Sequence, residues 1–229
     1  MQIARKIATW GGGKKPAYWG LCFTALADAS SIRLSNDHAS GSWPRVRLQY
    51  SRDGVEWRHF AGEEIPGSGV GSFPTVLLNK NEVVFVAAYD TNESTGFDPS
   101  NYLCFAMTGQ IAASGDVSSL LNKIAPVVEL SSTYTFTGLF SGCTSLTTAP
   151  ELPATTLASY CYRQMFSGCT SLQMLLVRFS AFTPTNATTN WTSSVAASGT
   201  FTCPAALGTN ETITRGTSNC PSGWTVVNT

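Results

Sequence analysis

Two glutamates are the carboxylates that could support chemistry in the C-terminal part of this chain. Between residues 132 and 229 there is no Asp, His or Lys, and the charged side chains are Glu151, Arg163, Arg178, Glu211 and Arg215. Glycoside hydrolysis uses two carboxyl groups, one as general acid and one as base or nucleophile. A carbohydrate-active enzyme would therefore need Glu151 together with Glu211. Glu151 belongs to a repeated segment that explains its presence without catalysis, so we do not predict that this pair is catalytic.

Two histidines offer the other route to acid–base chemistry. His38 lies in the loop-like sequence 36–41, whereas His59 follows Trp57 in a segment with strand character. Catalysis requires titratable groups within reach of one another. The chain contains no G-x-S-x-G elbow, no P-loop and no G-x-G-x-x-G fingerprint. The sequence therefore predicts that the protein is not an enzyme, with no catalytic residue and no cofactor.

Seven cysteines make an odd count, and none of them forms a C-x-x-C pair. A zinc site is not predicted, because the two histidines lie far along the chain from the cysteine-rich part. Cys143 and Cys169 occupy equivalent positions of a repeat, which indicates a buried column of thiols. Cys203 and Cys220 bracket a Gly/Thr/Asn-rich loop and are the one pair considered for a disulfide, with two thiols as the alternative.

The repeat itself is the strongest signal for the elements that position these residues. Residues 139–146 read LFSGCTSL and residues 165–172 read MFSGCTSL, so seven of eight letters match at an offset of 26. A period of about 20–29 residues is typical of leucine-rich repeats, in which each coil buries its apolar face against its neighbour. The predicted repeat core consists of Phe140, Cys143, Leu146, Phe166, Cys169 and Leu172.

The sequence around these copies resembles a known family. The similarity rests on the phrase CTSLTTAPELPATTLA, the following Tyr160-Cys161-Tyr162, and the tail residues Asn190-Trp191 and Pro221–Val226. These segments are similar to the BspA-like leucine-rich repeats of surface proteins from gut anaerobes and their phages. The resemblance covers residues 131–229 and implies surface display more than one particular ligand. It also implies a short leucine-rich-repeat domain with a C-terminal cap.

Only about one and a half repeat copies can be recognised by their letters. At least about three repeats are normally needed for a stable array. The solenoid must therefore be stabilised by packing against its cap, the preceding domain or another subunit. We expect a homo-oligomer, with a trimer favoured if the protein is part of a fibre.

The first half of the chain has the period-two pattern of strands. Leu21, Phe23 and Ala25 alternate with more polar neighbours, while residues 82–89 and 102–107 are nearly continuous apolar runs. We predict a mainly β protein with an N-terminal arm over 1–18 and a β-sandwich over 19–113. Residues 114–130 are predicted to be a linker with a short helix that Asp116 caps and Pro126 ends.

Two loops in this half have specific expectations. Asp53-Gly54 predicts a hairpin, because Gly supplies the positive φ that a tight turn needs. The phrase SRDGVEW around it also resembles a shortened sialidase Asp-box, for which we favour a purely structural role. The polar loop 93–101 is predicted to cover or extend a binding surface.

The charge pattern limits the classes of partner. Formal net charge is zero, with nine Lys or Arg against four acids in residues 1–58 and two against eight in residues 59–131. This balance does not favour nucleic-acid binding, and no apolar run reaches the roughly 18 residues of a membrane helix. Complementary basic and acidic surfaces between subunits are one explanation of the asymmetry, and chance is the other.

These observations predict a non-enzymatic binding or structural protein. The N-terminus has no apolar core of the kind found in secretory signals, which favours a phage virion component over an exported bacterial protein. We expect a fibre or tail accessory protein that is located in the virion and contacts other virion proteins and a glycan or protein of the host surface. The alternative is a bacterial cell-surface adhesin, and a carbohydrate-active enzyme is the third hypothesis.

Overall fold

The structure is a computed structural model that describes residues 19–35, 46–60 and 74–229. The predicted N-terminal arm over 1–18 and His38 lie outside these ranges. Of the residues in these ranges, about 34% are in strands and almost none are in helix. The strands, numbered along the chain, are β1 Cys22–Ala25, β2 Ser30–Ser35, β3 Leu48–Ser51, β4 Arg58–His59, β5 Val76–Leu78, β6 Val83–Ala88, β7 Gly96–Asp98, β8 Asn101–Tyr102, β9 Cys104–Thr108, β10 Ile111–Ser114, β11 Leu146–Leu152, β12 Met174–Val177, β13 Thr200–Cys203 and β14 Thr225–Asn228.

One sheet runs through both halves of the chain. Its nine strands follow the order β14-β13-β12-β11-β10-β1-β6-β3-β4. Strands β10 to β14 are parallel, whereas β1, β6, β3 and β4 pair in antiparallel fashion. The prediction of a mainly β fold with a solenoid is confirmed. A separate β-sandwich over 19–113 is not confirmed, because β10 pairs directly with β11 of the solenoid.

A second, smaller layer packs against this sheet. Its three strands follow the order β5-β2-β9. The two layers meet where Phe23 of β1 contacts Phe105 of β9, with ring centroids 5.0 Å apart. Both side chains are fully or almost fully buried. The apolar alternation of β1 thus points towards the second layer, as period-two patterning requires.

The solenoid has about three turns. Its third turn was not visible in the letters of the sequence, but its backbone repeats. In the first turn, positive φ angles occur at Tyr134, Gly138 and Gly142. One period later they occur at Tyr160, Gln164 and Gly168, and two periods later at Asn190 and Ser194. Backbone N–H groups of one turn donate to carbonyls of the next, as in Phe140 N to Met165 O at 2.9 Å and Phe166 N to Trp191 O at 2.8 Å.

The interior of the turns is a column of rings and thiols. Phe105, Phe140 and Phe166 stack at centroid separations of 5.4 and 5.5 Å. The Cys143 thiol donates to Phe105 O at 2.9 Å, and the Cys169 thiol donates to Phe140 O at 3.0 Å. All six residues of the predicted repeat core are buried, with exposures of 1% or less.

The segment between the two halves is packed onto the sheet. Asp116 accepts a hydrogen bond from Ser118 N at 2.7 Å and caps a 3-10 helix at Val117–Leu120. The short capped helix agrees with the expectation, but it ends well before Pro126. Ser119 Oγ donates to Val86 O at 3.2 Å and accepts from Leu21 N at 2.9 Å. These bonds tie the segment to β6 and to the start of β1.

Asp53 organises the predicted hairpin between β3 and β4. Its Oδ1 accepts hydrogen bonds from Val55 N and Glu56 N, each at 2.8 Å, and Gly54 has a φ of 76°. These backbone bonds hold the pKa of the Asp53 carboxyl below its usual value, because they favour the ionised form. The Asp-box-like phrase therefore stabilises a turn.

Candidate binding surfaces

The structure gives the two glutamates of the C-terminal part separate environments. Glu151 on β11 accepts from Arg178 Nε at 2.7 Å. Glu211 is exposed and accepts from the Thr209 hydroxyl at 2.8 Å, and this bond holds its pKa below the usual value. Each carboxylate is thus engaged by a different neighbour. His59 packs its ring against Tyr89, with centroids 4.4 Å apart.

All seven cysteines are thiols in this structure. The disulfide considered between Cys203 and Cys220 is therefore not formed. Arg215 Nη1 lies 3.2 Å from Cys220 Sγ. Burial raises the pKa of Cys161 and Cys169 to about 12 and that of Cys220 to about 11, so these thiols stay protonated near neutral pH. In the described ranges, no three His, Cys, Asp or Glu side chains are grouped as metal ligands would be.

The outward face of the parallel strands is the first candidate surface, and we call it the threonine face. Leu175, Phe201 and Val226 of β12, β13 and β14 point into the core, so their strand neighbours point outwards. Strand register aligns the outward residues in two rows, namely Thr148, Met174, Thr200 and Thr225, and Glu151, Leu176, Thr202 and Val227. The one charge in these rows, Glu151, is neutralised by Arg178.

A cleft where the two halves of the chain meet is the second candidate surface. This junction cleft has a volume of about 340 Å³ and is lined by residues 91–93, 121–122, 127, 129–132 and 135. Leu121 and Leu130 are buried and, with the half-buried Val127, give it an apolar floor. Glu93 and Glu129 are exposed at its rim. The cleft therefore combines an apolar base with polar walls, as small-molecule sites do.

Two tyrosines stack on each other, and one of them directly precedes Thr135 of the junction cleft in the chain. Tyr134, next to Thr135 of the lining, and Tyr160, one period later, have ring centroids 5.0 Å apart and planes within 4°. Both residues have positive φ, 59° and 57°, and both are partly exposed. The repeat of the backbone thus holds two aromatic rings in a fixed stack at the surface.

The loop predicted to cover or extend a binding surface starts in this cleft. Glu93 lines the cleft, and Thr95 N donates to Thr135 O at 2.8 Å. Arg163 Nη1 donates to Pro99 O at 3.2 Å, which fixes the far end of the loop to the second turn. The sequence did not identify the cleft residues between 121 and 135, because no motif in this segment indicates a binding site.

The C-terminal end of the sheet carries a cap made by two side chains, which we call the edge cap. Asn210 Oδ1 accepts from Val226 N at 3.1 Å, so it takes a donor on the outer edge of β14. Arg215 holds Asn210 in place through Nη2, which donates to Asn210 Oδ1 at 2.9 Å and to Asn210 O at 3.2 Å. Arg215 Nη1 also donates to Trp224 O at 2.6 Å.

No protein-family model, curated protein or solved structure matches this chain. Within the described residues, no helix combines the length and the apolar character that crossing a membrane would require. The function is therefore inferred from the geometry of these surfaces.

Proposed function

We propose that this chain is a non-enzymatic phage virion protein, a fibre or tail accessory component that contacts other virion proteins and the host surface. The observation that carries this proposal is the threonine face. It is broad, uncharged apart from the Glu151–Arg178 pair, and built on a hydrogen-bonded sheet. Such a face suits hydrogen-bonded contacts with glycans or proteins without electrostatic steering.

We further propose that the solenoid is a short leucine-rich repeat of the BspA-like type. The offset of 26 and the repeated FSGCTSL phrase support this proposal. The two layers of the first half act as a β-sandwich that closes the N-terminal end of the array, where β10 pairs with β11. This arrangement would explain how so few recognisable copies form a stable solenoid, since the first turn continues the sheet of the first half.

The edge cap bears on how the proposed oligomer assembles. Asn210 takes the Val226 N–H that a further strand beside β14 would need. Copies of the chain are therefore expected to meet side by side, as in a fibre trimer, and to avoid end-to-end growth of the sheet.

The test is mass spectrometry of purified phage particles together with light scattering of the isolated protein. We expect the chain in the particles, at a fixed copy number, and a trimer in solution. A chain found instead in a bacterial envelope fraction, within a longer precursor, would replace the virion proposal with the adhesin. A monomer in light scattering would contradict the trimer.

A further inference from the structure

We propose that the junction cleft binds an uncharged saccharide of one or two sugar units. This inference deepens the attachment function proposed above and depends on it for the biological setting. Binding itself can be measured on the isolated chain. The inference is carried by the size of the cleft, its hydrogen-bonding groups and its charge.

The size of the cleft selects a small ligand. Its volume of about 340 Å³ lies at the lower end of the range of about 300–1,000 Å³ found for small-molecule sites. The floor of Leu121, Val127 and Leu130 can contact the C–H face of a sugar ring. A longer glycan could still bind, but only its terminal units would enter the cleft.

The walls of the cleft have polar groups that are available to a ligand. Thr91, Glu93, Glu129 and Ser131 line it, and their side chains make no hydrogen bond or ion pair to another part of the described chain. Sugar hydroxyls donate to carboxylates and exchange hydrogen bonds with Ser and Thr hydroxyls. Hydrogen bonds to ionised acceptors are the stronger ones, so the two carboxylates would contribute most of the polar affinity.

The charge of the cleft excludes acidic sugars. Glu93 and Glu129 place two negative charges at the rim. Lys123, which follows Asn122 of the lining, places its Nζ 3.9 Å from the centre of the Trp57 ring. A sialylated or sulfated glycan would meet repulsion from these two carboxylates, whereas a neutral glycan would not.

The walls of the cleft are also held in place without a ligand. Asn92 accepts from Arg47 N at 3.1 Å and donates to Leu120 O at 2.8 Å. Val127 N donates to Ser118 Oγ at 2.9 Å on the opposite side. Because these bonds fix Asn92 and the Val127 backbone, binding has to order mainly the exposed side chains of the rim. Tyr134, which precedes Thr135 of the lining in the chain, stacks on Tyr160, and aromatic rings of this kind pack well on the apolar face of a sugar unit.

The experiment probes the full chain on an array of oligosaccharides in which each neutral glycan stands beside its sialylated and sulfated forms. The neutral glycans that bind are then titrated by calorimetry. We expect binding to neutral members only. Glu93→Gln and Glu129→Gln should each weaken it about tenfold or more, since each removes a charged hydrogen-bond acceptor. Ser131→Trp, which places a large side chain over the cleft, should abolish it.

The control is Glu211→Gln, which removes one negative charge from an exposed position in the C-terminal cap. It should bind like the parent protein, and all variants should unfold at the same denaturant concentration as the parent. The inference is overturned by any of three results: no neutral glycan binds, the acidic forms bind as well or better, or the cleft variants bind like Glu211→Gln.

Failure of this inference and failure of the proposed function can be told apart. If the chain is present in particles but no neutral glycan binds, the cleft assignment is wrong and the virion role stands. If neutral glycans bind through the cleft but the chain is absent from particles, the saccharide site stands and the virion role is wrong.

Discussion

Gly138→Ala is expected to lower the free energy of unfolding by about 2–5 kcal/mol. The new Cβ would overlap Cε2 and Cδ2 of Tyr102, a buried ring from β8. Overpacking of this kind costs about 1–3 kcal/mol, and the positive φ of 62° adds about 1–2 kcal/mol. Urea denaturation followed by tryptophan fluorescence measures the loss.

Gly142→Ala is the matched control in the same turn. Gly142 also has a positive φ, 75°, but its Cβ would meet no atom within 4 Å. We expect a loss of only about 1–2 kcal/mol, from backbone strain alone. Adding Tyr102→Ala to each variant completes a double-mutant cycle, in which Tyr102 should couple to position 138 and not to position 142. Equal losses for the two glycine variants would show that Tyr102 does not pack there.

The equivalent positions of later turns support this explanation. Gln164 and Asn190 stand one and two periods after Gly138 and have φ of 52° each. A side chain is therefore compatible with this backbone. Gly138 is required by the close approach of Tyr102, which is where the first half of the chain packs on the solenoid.

Arg215→Ala is expected to destabilise the chain by about 2–3 kcal/mol and to cause self-association. The guanidinium makes hydrogen bonds to Asn210, Pro221 and Trp224, and bonds to a charged group contribute about 1.5–3 kcal/mol. Without it, Asn210 is released and the edge of β14 can pair with another chain. Denaturation gives the stability loss, and light scattering over a range of concentrations gives the association.

Arg178→Ala is the control for this prediction. Arg178 makes one ion pair with Glu151, and its side chain is 41% exposed. Exposed pairs of this kind contribute about 0–1 kcal/mol, so this variant should be nearly as stable as the parent and keep its oligomeric state. If Arg215→Ala behaved like Arg178→Ala, the edge cap would neither stabilise the C-terminal end of the chain nor protect the edge of β14.

The sequence predicted the features that depend on local chemistry. The offset of 26 located the first two turns, Asp53-Gly54 located a hairpin, and Asp116 was predicted to cap a short helix. Each of these signals lies within a few residues of the structure it specifies. The burial of Phe140 and Phe166 follows from the same periodicity.

The third turn was missed because its backbone persists while its side chains change. Thr192 stands one period after Phe166, and its neighbour in the chain is the fully buried Trp191. The ring of Trp191 lies 6.4 Å from Phe166 and 6.2 Å from Phe201, so it packs under the second turn and against β13. The turn is recognisable by its positive φ angles, which the letters do not show.

The continuous sheet and the junction cleft could not be predicted because they depend on pairing between distant segments. No local pattern shows that the partner of β10 is β11, where Ile111 pairs with Leu146. The cleft brings together Glu93 and Glu129, which lie far apart in the chain. Both are consequences of tertiary contacts that no local pattern contains.

The continuity of the sheet is the central claim, because it makes the two halves one rigid platform for both candidate surfaces. Amide hydrogen exchange across the full chain tests it most directly. The slowest amides of β1, β6 and β10 should exchange with the same free energy as those of β11 and β12, through one global unfolding step. Two distinct free energies, one for the strands up to β10 and another for the solenoid strands, would contradict the claim.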